Sequence, residues 1–113
     1  HDHFGIGLDS YHFYKAGDNF SDLARIPYGS VFTVHICNVI DMPRSKLTDF
    51  DREEPTQGKL NIITFVRLII AKGYDGYLTH EVFREDYWKA DPKKVARVAF
   101  NEIKSLIKKS KND

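Results

Sequence analysis

Val31-Phe32-Thr33-Val34-His35-Ile36-Cys37-Asn38 reads as a short buried strand ending in a polar residue able to bind a metal. Period-2 alternation places Phe32, Val34 and Ile36 on one side, and Val31, Thr33 and His35 on the other. The apolar side suits a covering layer of helices. The other side carries an imidazole at the strand's C-terminal end, where α/β proteins place their chemistry. Two further stretches repeat the design. In Ile6-Gly7-Leu8-Asp9 the pair Ile6 and Leu8 points one way and Asp9 the other. In Tyr77-Leu78-Thr79-His80-Glu81-Val82, Leu78, His80 and Val82 point one way, and Tyr77, Thr79 and Glu81 the other. Asp, His and Glu therefore end three strands on the side away from the helices.

Composition sets the outer bounds. A chain of 113 residues holds one domain at most, with room for a modest core. Apolar content of 42% and charged content of 29% suit an ordinary globular protein. A net charge of +1 argues against a nucleic-acid surface, which needs a clear basic excess. The single cysteine, Cys37, excludes an internal disulfide framework and fits a reducing compartment. There is neither an apolar run of ~18–20 residues, as a membrane span needs, nor a signal-like N-terminus. A cytoplasmic location follows as the expectation.

Outward from the quoted strand, the chain alternates strands with helices. The first strand covers residues 5–9, and so early a start suggests a missing upstream segment. Residues 10–19 read as a loop. Asp18 or Asn19 then caps a short helix over 20–25, with Phe20, Leu23 and Ala24 inward. After the strand at 31–36, residues 37–59 form a long charged irregular segment, and a loop of that length points to ligand handling. A helix over 60–72 carries the stripe Ile62, Phe65, Val66, Ile69 and Ile70, with Gly73 at its end. The third strand covers 77–82, and residues 85–89 add a helical turn. Asp91-Pro92 opens the last helix, 92–108, which buries Val95, Val98, Ala99, Ile103, Leu106 and Ile107. Lys104, Lys108, Lys109 and Lys111 read as its solvated end.

Asp9, His35 and Glu81 are oxygen and nitrogen donors suited to Mn²⁺, Co²⁺, Mg²⁺, Fe²⁺ or Zn²⁺. If the strands are parallel neighbours, the three side chains converge. Each also has a plainer reading: the carboxylates as helix caps or ion-pair partners, His35 as a hydrogen-bonded core histidine. His12, three residues after Asp9, is either a donor beside the same centre or a surface loop histidine. Asp51-Arg52-Glu53 offers a guanidinium for substrate oxygens and two carboxylates, or simply a solvated charge run. His80 has the wrong parity for the site and is expected among the helices. His1 and His3 lie at the far end of the first strand from Asp9.

Residues 5–13 (GIGLDSYHF), 34–36 (VHI), 47–52 (LTDFDR) with Pro55 and Gly58, and 80–83 (HEVF) together resemble the xylose-isomerase-like TIM-barrel family. Within it, the likeness is strongest to sugar isomerases and epimerases and to the inosose isomerase and dehydratase enzymes of inositol catabolism. The resemblance covers nearly the whole chain. It implies a partial (β/α)8 barrel made of the last three βα units, with residues 1–113 as one C-terminal segment. It also implies Asp9, His35 and Glu81 as three of four metal ligands, Glu81 as one of two acid–base carboxylates, and His12 and Arg52 on substrate oxygens. The implied fourth ligand is a glutamate on a preceding strand, which this chain does not contain. Thr56 follows Pro55 where family members commonly carry Gly.

The implied activity is divalent-metal-dependent isomerisation or epimerisation of a sugar or cyclitol through an enediolate. The alternatives are an inosose-type dehydratase on the same scaffold and a non-catalytic partial barrel used for association. An endonuclease-IV-like phosphodiesterase ranks lower, because it calls for histidine where Glu53 stands and for a basic groove. The expected partners are a small-molecule substrate and either the missing barrel half or another copy of the chain, with no nucleic acid and no membrane.

Overall fold

The computed structural model describes residues 2–112. Three parallel strands form its centre: β1 (Ile6–Asp9), β2 (Val31–Ile36) and β5 (Leu78–His80), in the order β1-β2-β5. Asp9 lies opposite His35, and His35 opposite Thr79. Between β1 and β2 run α1 (Ser10–Ala16) and α2 (Phe20–Arg25). The segment after β2 holds a two-residue antiparallel pair, β3 (Asn38–Val39) with β4 (Arg52–Glu53), followed by α3 (Ile62–Ala71). After β5 come α4 (Glu85–Lys89) and α5 (Pro92–Lys111).

The helices cover one face. Val31, Val34 and Ile36 of β2 pack with Phe13 of α1, Leu23 of α2, Phe65, Val66 and Ile69 of α3, and Leu106 of α5. Burying a side chain of this size contributes about 1.5–3 kcal/mol, and a second buried cluster of Tyr11, Cys37, Val39, Leu47 and Val82 adds to it. The opposite face is open: Gly7, Thr33 and Thr79 are exposed there, and Tyr77, which shares their parity, is 91% exposed.

Several elements depart from the sequence expectation, each for a physical reason. The register of β1 against β2 slips between Ile6 and Gly7, so that Phe32 is an extra residue on β2. Such a bulge shifts the alternation by one. Val31, not Phe32, therefore joins the helix-facing core, and Phe32 is half exposed with its ring against Gly5. A Cβ at Gly5 would fall 2.2 Å from that ring, so any larger residue there would have to displace it.

Residues 10–16 are helix rather than loop, because Asp9 caps the first turn and Gly17 ends it at φ 83°. The segment 37–59 is not irregular throughout. Asn38 is fully buried and holds it by four hydrogen bonds: Nδ2 donates to Pro55 O (3.1 Å) and Leu60 O (3.0 Å), while Oδ1 accepts from the Val39 and Leu60 amides (2.9 and 2.8 Å). Ala24, Ile70 and Val98 are exposed despite their places in the expected stripes, because among the described residues those helix sides are only partly covered. The outer strand β5 is shorter than 77–82, and α5 runs past residue 108 to Lys111.

Candidate metal and substrate site

The C-terminal ends of β1, β2 and β5 bring Asp9, His35 and Glu81 to one point. One ligand atom from each lies within 4.8 Å of the other two. Asp9 does two things at once. Its Oδ1 accepts the amides of Tyr11 (2.8 Å) and His12 (3.3 Å) as the cap of α1. Its Oδ2 faces the site, 3.8 Å from His35 Nδ1. Capping thus fixes the carboxylate's rotamer and leaves one oxygen for chemistry. His35 is the register partner of Asp9, and its Nδ1 lies 3.1 Å from Glu81 Oε2. Glu81 sits one residue beyond β5, where its amide donates to Ile36 O at 3.0 Å.

Arg52 closes the floor of the site. Its side chain is only 2% exposed, and Nη1 reaches Asp9 Oδ2 at 3.3 Å and Glu81 Oε2 at 3.5 Å. Nη2 reaches Asp49 Oδ1 at 3.2 Å. The guanidinium lies between the rings of Tyr11 and Phe83, 4.5 and 4.6 Å from their centres. Stacking of this kind is attractive and stronger when dry, and it pins the plane in which the carboxylates are met. Among the described residues, Arg52 Nε is the one buried side-chain nitrogen or oxygen without a hydrogen-bond partner.

These contacts set the charge state. Burial works to raise the Asp9 carboxyl, but the Arg52 charge and hydrogen bonds, the His12 amide among them, outweigh it and hold Asp9 below the ordinary aspartate value. Burial pushes the neighbouring Cys37 thiol up to about 11, so it stands as an inert thiol beside the site.

An open cavity of about 400 Å³ lies over the three donors, with His12, Thr33, Asp49, Arg52 and Phe83 among the other residues of its wall. His12 is exposed on its rim, so both it and Arg52 reach the cavity. The carboxylates flanking Arg52 do not. Asp51 ends a 3-10 turn and accepts the Thr48 amide in its capping box, while Glu53, next to Arg52 on the two-residue strand, points to the other side and pairs with Arg84 at 3.3 Å. His80 and His3 do not line the cavity, and His1 lies outside the described residues. Tyr11, Phe83 and Asp49 are additions. Each aromatic stands two residues after a site carboxylate, and Asp49 three before Arg52.

The donor set fits a divalent cation. Two carboxylates and one imidazole supply hard and borderline atoms. Bonds of about 2.0–2.2 Å hold donors no more than about 4.4 Å apart, so the observed spacing needs to contract only slightly.

The profile of the family described as xylose isomerase-like TIM barrel matches residues 1–106. An inosose isomerase of Halalkalibacterium halodurans is 31% identical over 108 residues, which are 96% of this chain and 38% of that protein. The inosose isomerase of Bacillus subtilis is 29% identical over 96% of this chain and 39% of its own length. The chain thus spans about two fifths of the relatives it matches. Among solved structures, an IOLI protein described as carrying a bound zinc atom superposes with a TM-score of 0.91 at 27% identity, covering 100% of this chain and 41% of its own. A xylose isomerase domain protein of Alicyclobacillus acidocaldarius gives 0.81 at 31% identity, over 96% of this chain and 38% of that one.

Proposed function

The chain belongs to the xylose isomerase-like TIM barrel family, and from that premise we propose that it is the C-terminal segment, residues 1–113, of a divalent-metal-dependent isomerase or epimerase acting on a sugar or cyclitol. The observation that carries this reading is the convergence of Asp9, His35 and Glu81 at the C-terminal ends of three parallel strands. The relatives' name, inosose isomerase, supports a polyhydroxylated ketone as substrate.

In this reading Asp9, His35 and Glu81 hold the ion. When bound, it supplies Lewis-acid polarisation of a carbonyl and its neighbouring hydroxyl. Glu81 takes the proton from the carbon beside the carbonyl, giving an enediolate, and a second carboxylate on a preceding strand serves the other face. His12, on the rim, takes a substrate hydroxyl. Arg52, on the floor, orients Asp9 and Glu81 and meets an oxygen that enters between them.

A dehydratase would form the same enolate and expel a β-hydroxyl, so it is the second reading. The open sheet face and the exposed Phe100 of α5 support the third, a partial barrel used for association. The phosphodiesterase reading is weakened by Glu53, which is turned to Arg84. Among the described residues, no helix is long and apolar enough to cross a membrane, and the buried free thiol of Cys37 supports placement in the cytoplasm.

The test is deuterium exchange. The complete protein, given Mn²⁺ and an inosose in D₂O, is expected to place deuterium on the carbon beside the carbonyl, and the Glu81→Gln variant is expected not to. Exchange undiminished in Glu81→Gln would refute the assignment.

A further inference from the structure

A second polar cluster lies behind the site, outside the cavity. Glu54 follows β4 directly, and its side chain is buried. Its Oε2 stands 2.8 Å from His80 Nε2, and its Oε1 accepts the Tyr87 hydroxyl. His80 ends β5 and is the covalent neighbour of Glu81, while Tyr87 belongs to α4. One carboxylate therefore ties together the strand that carries Arg52, the strand end that carries Glu81, and the helix that follows Phe83. Glu53 adds a parallel link through Arg84 at 3.3 Å.

A buried carboxylate without partners is strongly destabilising, so the two donors on Glu54 indicate what it holds. Burial works to raise its pKa. The hydrogen bonds from His80 and Tyr87, with the nearby Arg84 charge, outweigh that and keep Glu54 below the ordinary value. Burial and the adjacent Glu54 push the Tyr87 hydroxyl well up, so it stays a donor. Hydrogen bonds to an ionised acceptor are the short and strong kind.

Glu81 needs such support. The strand before it has only three residues, and past its end the Glu81 amide is held by a hydrogen bond to Ile36 O at 3.0 Å. A ligand and proton carrier must be held to within about 0.5 Å, which a strand end of that length does not secure by itself.

We propose that Glu54, His80 and Tyr87 form a positioning triad that sets the height of Glu81 over Asp9 and His35 and keeps it in register with Arg52. The inference rests on the role of Glu81 given under the proposed function. None of the three residues touches the reacting atoms; each acts through Glu81.

The experiment uses the complete protein with Co²⁺ as probe, because its visible absorption reports affinity and ligand geometry without turnover. Tyr87→Phe and Glu54→Gln are expected to bind Co²⁺ about tenfold more weakly, the lower end for loss of an outer partner of a metal ligand. Their band intensities should change, and kcat should fall while KM stays near that of the parent. His80→Gln keeps an N–H donor toward Glu54 and is expected to recover most of what His80→Ala loses. If Glu54→Gln does not fold, Tyr87→Phe decides, since it removes a single oxygen atom. A folded Tyr87→Phe with unchanged Co²⁺ spectrum and affinity, on a parent that binds Co²⁺ normally, overturns the triad alone. A parent that takes up no Co²⁺ overturns both the metal reading and the triad built on it.

Discussion

Arg52 is where the residue-scale electrostatics concentrate. One guanidinium meets Asp9, Glu81 and Asp49 while stacked between Tyr11 and Phe83. Arg52→Ala would leave two site carboxylates facing each other, and breaking a buried ion pair costs about 3–5 kcal/mol. Glu81 keeps some contact with water, so a loss of roughly 3 kcal/mol is expected, read as a lowered urea midpoint. Arg52→Lys should recover little of it, because an ammonium neither stacks in a plane nor forks between carboxylates. An Arg52→Ala variant with the parent's midpoint would show that the contacts contribute nothing. Cys37 supplies a second residue-scale test. It is buried, with its thiol pushed up to about 11, so iodoacetamide at neutral pH should alkylate it only after unfolding. Rapid labelling of the native protein would contradict the burial described.

At the scale of elements, the alternation and capping rules carried far. Strands 31–36 and helix 20–25 stand where the residues put them, because β-branched alternation and an Asn19 cap are local signals. The features that were not legible depend on partners distant in sequence. The bulge puts the Phe32 ring against Gly5, and the order in segment 37–59 rests on Asn38 meeting Pro55 and Leu60. Asn38→Ala should therefore loosen the whole segment and cost roughly 2–3 kcal/mol, since it leaves buried backbone groups unpaired; hydrogen exchange at the Leu60 amide reports it directly. The link between β4, β5 and α4 is pH-sensitive through Glu54. Its folded pKa lies below the ordinary value of 4.5. The stability it contributes is thus complete above the unfolded-state pKa and is lost as pH falls through the lower folded one. Glu54→Gln should flatten that acid limb of a pH–stability curve, and an unchanged limb would refute the coupling.

The whole molecule is a layer of helices on one face of a three-stranded parallel sheet, a partial barrel. Parallel sheets are normally covered on both faces, and free edges invite pairing. Here the face bearing Thr33 and Thr79 is open, Tyr77 is almost wholly exposed, and α5 presents Val98 and Phe100 outward. The 113-residue chain on its own is therefore expected to sediment as an oligomer or aggregate; a stable monomer with substantial turnover would show that the open face needs no cover. The convergence of Asp9, His35 and Glu81 was legible because three strand ends of matching parity carry Asp, His and Glu. Tyr11, Phe83 and Asp49 were not, since only the folded geometry brings them around Arg52. The central claim is that Asp9, His35 and Glu81 hold one divalent ion, and calorimetric titration of the complete protein with Mn²⁺ tests it most directly. The account predicts one ion per chain, with Asp9→Ala, His35→Ala and Glu81→Ala each weakening binding by more than the roughly tenfold expected of an outer partner; unchanged affinity in all three variants would contradict it.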